Sequence, residues 1–380
     1  MRGSIREKRP GVWELRVELP NDPVTGARRQ KYSTVKGPKR KAQFELQKLL
    51  VDTKDAKARA SSASVEYVIN AWYEAAEGRL TPKTASNYEW RVRRNILPSL
   101  GKIQVDELTP AHIDKLYREL EVKGDSPAGI RQTHAILRSA LNQAVKWGWL
   151  DSNPALRASP PRLPQKDMAS ISVEQLAVLI RDAEQANPQW AAMIALAAVS
   201  GLRRGELLGL KWSDIEENSI RIRRSLGYTP KDGIFEGPTK TRQTRRVALD
   251  QVGMAIIERQ KEEIRFAADK VGSSVTEDPY LFSPEPDGAK PFHPDSISKV
   301  FRRIADAHGW REIHFHSLRH FSASEMIAAG VDVRTVAARL GHADASITLR
   351  VYAHALPERD RAAAEILGSR ISFPKSIDRA

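Results

Sequence analysis

Between His314 and His354 the chain gathers histidines, an arginine and a tyrosine into one stretch, HFHSLRHFSASEMIAAGVDVRTVAARLGHADASITLRVYAH. Its parts come in order: His316-Ser317-Leu318-Arg319, then Leu340-Gly341-His342, then Tyr352. On a helix His316 and Arg319, three residues apart, project from one face. Gly341 stops the next helix and leaves His342 at its end, beside the same region. Singly, each has a plainer reading: a histidine or tyrosine on a helix is more often core or surface, and a lone arginine is a solvated charge. Together they bring imidazole, guanidinium and phenol groups into one helical subdomain with no cysteine and no acidic cluster. Such a set suits a phosphate diester, with cationic and neutral donors for its oxygens and a hydroxyl to attack phosphorus.

A second group lies upstream. Trp190 to Val199 is strongly apolar, Ser200-Gly201 breaks it, and Leu202-Arg203-Arg204-Gly205-Glu206 follows. A guanidinium beside an apolar helix end requires a partner, and Glu206 stands three residues on. On this evidence alone a structural Arg203–Glu206 pair is the better reading. Between Ile220 and Leu249 the period becomes that of strands, with Ile220, Ile222, Val247 and Leu249 alternating with polar residues and Gly227, Gly233 and Gly237 as punctuation. Pro238-Thr239-Lys240-Thr241 is placed in this hairpin. Lys240 has Arg242, Arg245 and Arg246 for neighbours, and residue chemistry does not choose among them.

Helical spacing supplies the elements that must hold these groups. Ser317 is expected to cap a helix whose apolar face includes Phe321, Met326 and Ile327, ended by Gly330. Asp332 starts another, carrying Val333, Val336, Ala337 and Leu340, and Ser346 caps a third that carries Tyr352. Pro291 to Gly309 and Leu356 to Leu367 read as further helices, and Ser172 with Gln175 as a capping box. Upstream, residues 64–163 are helical throughout. Val65, Val68, Ile69 and Trp72 form one face, Thr81-Pro82 and Thr109-Pro110 mark helix starts, and Ile136, Leu137, Ala140, Leu141, Ala144 and Val145 make a continuous stripe. Near the N-terminus Trp13, Leu15, Val17 and Leu19 alternate with Glu14, Arg16 and Glu18, a turn covers Asn21 to Gly26, and Arg28 to Lys36 returns as a strand before a helix. A Lys/Ala/Ser-rich linker follows, and a proline-rich one spans Asp151 to Pro164.

At 380 residues the chain is too long for one compact core and implies two or three domains. Its net charge of +14 points to a polyanionic partner, and +9 of that lies in residues 1–60. Without an evident amphipathic membrane helix, nucleic acid is favoured over anionic lipid. The absence of cysteine excludes disulfides and thiolate zinc sites and fits a reducing cytosol. No apolar run is long enough to span a bilayer, and the basic start lacks the apolar core of a signal peptide.

The ordered signature resembles that of the tyrosine recombinases, the phage-integrase family: His-x-x-Arg, Leu-Gly-His, and a Tyr followed by a small residue and His, here Tyr352-Ala353-His354. Ser200-Gly201-Leu202-Arg203-Arg204-Gly205-Glu206 is similar to the family's first arginine motif. The resemblance implies Tyr352 as nucleophile, Arg203, Arg319 and His342 as phosphate ligands, Glu206 as the carboxylate orienting Arg203, His316 as base or relay, and Lys240 as general acid. Lys231 and Arg242 rank below Lys240. It implies a multidomain fold: a small β-sheet plus helix (α+β) at 1–55 like an arm-type DNA-binding domain, a linker at 56–63, a helical core-binding bundle at 64–158, a linker at 159–169, and a mainly α catalytic domain with a small β-sheet and C-terminal tail at 170–380. Arg28, Arg29 and Lys31 on the ribbon, with Lys83 and Arg131 on the bundle, are the candidate DNA contacts. The implied activity is site-specific recombination that integrates or excises a phage or other mobile element, with no metal or other cofactor. The implied partners are double-stranded core-type and arm-type sites, three further copies in a homotetramer, and DNA-bending or directionality proteins, in a bacterial cytoplasm at the nucleoid. The competing functions are a resolvase of chromosome or plasmid dimers, a type IB topoisomerase, and a non-catalytic DNA-binding regulator. The basic ribbon argues against the first.

Overall fold

The computed structural model describes residues 3–19, 29–47, 63–164, 171–239 and 243–341, with 365, 367, 369 and 370 near the C-terminus. It divides into two compact units, Met1–Gln165 and Lys166–Ala380. Among the described residues no helix is long and apolar enough to cross a membrane.

The first unit opens with an antiparallel sheet in the order β1 (Gly3–Arg9), β2 (Val12–Leu19), β3 (Arg29–Lys36). The alternation in β2 has its expected consequence, since Leu15 and Val17 are buried. Strand β1 is an addition to the sequence reading. Its only large apolar residue is Ile5, so no alternation announces it, and Gly11 at φ 73° makes the tight turn into β2. Helix α1, residues 39–47, buries Ala42.

The helical bundle comprises α2 (Val65–Glu77), α3 (Pro82–Arg91), α4 (Leu97–Leu100), α5 (Pro110–Val122) and α6 (Pro127–Trp147). The hydroxyls of Ser64, Thr81, Thr109 and Ser126 each accept a first-turn backbone N–H, so short polar residues set four of the starts. The faces read from the sequence meet: Val65, Val68, Ile69 and Trp72 join Ile136, Leu137, Ala140, Leu141 and Ala144 in one core. Between α3 and α4 the backbone runs as a π-helix, Val92–Ile96. It turns Asn95 inward, where its amide donates to Thr133 Oγ1 (3.0 Å) and Asp125 Oδ2 (3.1 Å).

The second unit is built on α8 (Pro188–Ser200), buried at Met193, Ile194, Leu196, Ala197 and Ala198. A helix apolar on nearly every side belongs inside. Around it lie α7 (Val173–Ala186), α9 (Arg204–Leu208), α10 (Gln251–Lys270), α11 (Pro294–Ala307), α12 (Ser317–Ala328) and α13 (Val333–Leu340). A sheet orders β4 (Ile215–Glu216), β5 (Ser219–Ile222) and β8 (Arg245–Ala248), pairing Ile220 with Val247; β6 (Ser225–Thr229) and β7 (Gly233–Gly237) form a separate hairpin.

Two local expectations change, and one element is new. Pro238 and Thr239 follow β7 outside the β6–β7 hairpin, because the Gly233 turn closes that hairpin earlier, while Lys240 and Thr241 lie outside the described residues. Ser317 does not cap α12 from outside: His316 is already helical at φ −68°, ψ −19°, and Ser317 Oγ accepts the N–H of His314 (3.2 Å). Helix α10 adds an element that the sequence does not announce, because charges interrupt its stripe of Ile257, Ile264 and Ala268. The capping box of α7 and the Asp332 and Gly341 ends of α13 form as expected. The helix expected to carry Tyr352 lies outside the described residues, as does most of Leu356 to Leu367.

Candidate active site

The site grows from the break after α8. Gly201 takes φ 67°, a left-handed turn that suits glycine and ends the helix. A Cβ added there would also land on Leu340 Cδ2 and come within 3.1 Å of Ser322 Oγ. Arg203 then stands at the N-terminus of α9 with Glu206 one turn on. Glu206 is 1% exposed and accepts four hydrogen bonds. Oε1 takes Arg203 Nη1 (2.9 Å) and Arg245 Nη1 (3.1 Å); Oε2 takes the Arg203 backbone N–H (3.0 Å) and Arg245 Nη2 (2.7 Å). Four bonds fill the acceptor sites of a carboxylate. Burial is the largest single influence on Glu206 and would raise its pKa; Arg245 and Arg203 together outweigh it, and the carboxyl is held below its ordinary range.

The second hand of Arg203 reaches across 138 residues. Nη2 donates to the Gly341 carbonyl (2.8 Å), at the left-handed C-terminus of α13. Arg319, 3% exposed, donates from Nη1 to the Gly201 carbonyl (2.7 Å), two residues before Arg203. Each arginine is thus tied to a left-handed glycine turn, Arg319 to the one that leads into Arg203 and Arg203 to the one that ends α13. His316 precedes α12 with its ring edge-on to His320, centroids 4.9 Å apart. Although His316 keeps a face open to solvent, crowding by surrounding protein, then His320, Arg319, His314 and Arg203, pushes its imidazole down to about 4. Its direction is what matters chemically: the ring is neutral at pH 7, with one nitrogen carrying an acceptor lone pair.

Two guanidiniums, a buried carboxylate and an imidazole, carried by the break at 201 and the start of α12, make up a set with the chemistry to hold an anion. Known proteins that share the pattern identify its family. The pattern of the "Phage integrase family" matches residues 169–359, half of the chain, and that of the "Phage integrase, N-terminal SAM-like domain" matches 64–120. The chain belongs to the phage integrase family.

As a member it is a tyrosine-type site-specific recombinase. The ICEBs1 integrase of Bacillus subtilis strain 168 is 25% identical over 96% of this chain and 99% of its own length. The integrase of Mycobacterium phage L5 is 26% identical over 96% of each chain. Among solved structures, the Tn1549 transposon integrase in complex with transposon right end DNA shares the fold at TM-score 0.67 and 19% identity, over 79% of this chain and 99% of that one. A lambda integrase dimer bound to a COC' core site does so at TM-score 0.60 and 16% identity, over 99% and 97%. The integrase-like fold is multidomain and mostly helical, with small sheets.

Of the family signature read in the sequence, Arg203, Glu206, His316 and Arg319 come together here. His342 follows the described Gly341 directly, and Lys240 follows buried Thr239, whose hydroxyl donates to the Gln243 carbonyl (2.9 Å) and pins the base of that loop. Lys240, His342 and Tyr352 themselves lie outside the described residues, as do Arg28 and Arg242. Lys231 is exposed in the β6–β7 turn. Arg29 and Lys31 stand on β3, Lys83 is exposed on α3, and Arg131 is exposed on α6, donating to the Pro161 carbonyl (3.2 Å). Sequence reasoning missed Arg245 as a member of the site. Strand parity carried the signal: Arg245, Val247 and Leu249 share a face, and the latter two are buried.

Proposed function

We propose that this integrase cuts and rejoins DNA through a 3′-phosphotyrosine on Tyr352, integrating or excising a mobile element. The observation carrying this reading is that Arg203 and Arg319 are each bonded to a glycine carbonyl at a helix end, Gly341 and Gly201, with His316 one turn before Arg319. A planar guanidinium fork matches phosphate oxygens, and two such charges answer the negative charge gathering on the equatorial oxygens in the transition state. A free phenol, with a pKa of ~10, is protonated at neutral pH. Tyr352 therefore passes its proton to His316 as its oxygen bonds to phosphorus. The bond from phosphorus to the 5′-oxygen breaks, and Lys240 protonates that oxygen. His342 donates to the phosphate. A 5′-hydroxyl from a second strand reverses the step, so no phosphodiester energy is dissipated and no nucleotide is consumed. Glu206 orients Arg203.

The domain assignment belongs to the same proposal: residues 1–55 as arm-type module, 64–158 as core-binding bundle and 170–380 as catalytic domain, joined by linkers at 56–63 and 159–169. Double-stranded DNA with core-type and arm-type sites is the substrate, contacted by Arg28, Arg29, Lys31, Lys83 and Arg131. A homotetramer is the working form; a lambda integrase tetramer bound to a Holliday junction has this fold, with TM-score 0.58. DNA-bending and directionality proteins are the accessory partners.

Tyr352→Phe tests the chemistry. On core-site DNA carrying a nick that traps the intermediate, wild-type protein is expected to give a covalent adduct resistant to denaturant, and Tyr352→Phe none while still shifting the DNA. An adduct formed by Tyr352→Phe would remove this residue from its role.

A further inference from the structure

The ion pair that holds Arg203 has a third member for which the reaction has no obvious use. Arg245 supplies two of the four hydrogen bonds that saturate Glu206. Its Nε donates to the Arg339 carbonyl (3.0 Å) in the last turn of α13. It also lies against Gly341, where an added Cβ would sit 2.8 Å from Arg245 Nη1. Since the Gly341 carbonyl accepts from Arg203, a closed circuit results: Arg203 to Glu206, Glu206 to Arg245, Arg245 to the end of α13, and α13 back to Arg203.

We infer that Arg245 is a positioning residue for strand cleavage, fixing through this circuit both the Arg203 guanidinium and the turn that delivers His342; the inference rests on the proposed chemistry at Tyr352. Two physical requirements converge on it. One carboxylate facing one guanidinium would neutralise the charge that a phosphate needs, whereas a carboxylate between two leaves the group at +1. A carboxylate held by Arg203 alone is also free to swing, because only half of its acceptor sites are filled. Arg245 supplies the second charge and the second pair of bonds, 11% exposed and facing away from solvent. Its place at the start of β8 adds a third link. Only residues 240–244 separate Arg245 from Thr239, so the side chain is fixed five residues after Lys240 in the sequence.

Arg245→Lys keeps the charge but removes the fork, and is the informative variant. Single-turnover cleavage of trapping core-site DNA at saturating concentration is expected to fall on the order of 10²-fold, the scale of a misplacement of about 1 Å. Affinity for the same DNA and the melting temperature should stay close to wild type, a split that a merely structural role would not give. Should Arg245→Lys prove unstable, the paired substitution Glu206→Gln with Arg245→Gln, which removes both charges at once, provides the second arm. It is expected to fold and to cleave at least as poorly. Cleavage within twofold of wild type by either folded protein, or a rate decrease matched by an equal decrease in DNA affinity, overturns the inference while Tyr352 stands. A wild-type protein that forms no adduct at all would instead sink the Tyr352 assignment, and this inference with it.

Discussion

At the scale of single residues the site is a problem in protonation as much as in shape. On the proposed mechanism His316 has to be neutral to take a proton from a phenol, while two guanidiniums close by grip phosphate. Burial by surrounding protein lowers its pKa most, and the neighbouring His320, Arg319, His314 and Arg203 lower it further, since each disfavours the imidazolium. The linkage has a definite sign. Folded His316 titrates near 4, unfolded histidine near 6.5, so from pH 6.5 down to about 4 the unfolded chain binds the extra proton and stability falls; above 6.5 there is no such loss. The lowered Glu206 adds a loss in the same direction, once the pH falls below the ordinary carboxylate range. A nuclear magnetic resonance titration of the free protein should find the His316 midpoint well below 6.5, alongside a melting temperature that declines on acidification through that window. A midpoint at 6.5 or above would contradict the burial and the neighbouring charges described here. Arg203, Glu206, His316 and Arg319 were all legible in the sequence, since motif order and a three-residue spacing name them. Arg245 was not singled out, because basic residues crowd the stretch from 240 to 246; its parity with Val247 and Leu249 puts it on the inward face, and the pairing of β8 with β5 bears that out.

At the scale of elements, the arginines are placed by the points where helices stop. Arg319 reads the carbonyl of Gly201 and Arg203 that of Gly341, two left-handed glycines closing α8 and α13. The periodicities gave these helices away, and the glycines gave their ends, but nothing in one dimension says that the two ends meet. That meeting is made by Leu340, fully buried against the Gly201 turn. Gly201→Ala should therefore be costly twice over: about 1–2 kcal/mol for an L-residue in the left-handed region, and about 1–3 kcal/mol for overpacking on Leu340. Denaturant unfolding is expected to show destabilisation of roughly 2–5 kcal/mol at unchanged slope, the combined scale of those two costs. A change under about 0.5 kcal/mol, the scale of an uneventful surface substitution, would mean that Leu340 yields freely and that the turn is not a fixed reference for Arg319. Ser317 shows the limit of local reading. Its type and position suggest a cap, but the turn at His314 captures the hydroxyl first, and His316 is drawn into the helix so that its ring lies beside Arg319.

At the scale of the whole molecule, charge is distributed unevenly, and the sheet near the N-terminus shows how it is presented. Residues 1–60 hold +9 of the net +14. Registers pair Arg6 with Glu14 and Arg16 with Tyr32, and the alternation that buries Leu15 and Val17 on one face leaves Arg6, Arg16, Tyr32 and Lys36 to share the other. The same register sets Lys31 across from Val17 and Arg29 across from Leu19, a parity the sequence could not give without β1 and the turn length. A three-stranded face with basic residues and an exposed tyrosine has the dimensions to enter a major groove. Substituting Arg6, Arg16 and Lys36 together by alanine should weaken binding to arm-type DNA and flatten its dependence on salt, by about 0.9 in the log–log slope for each phosphate no longer neutralised. Core-site cleavage by the same protein should be unchanged, because its chemistry sits in the second unit. Titrations at several salt concentrations decide the matter: an unaltered slope would take this face out of the DNA interface and leave the proposed contacts at Arg28, Arg29 and Lys31, whose triple alanine variant would then show the weakened binding.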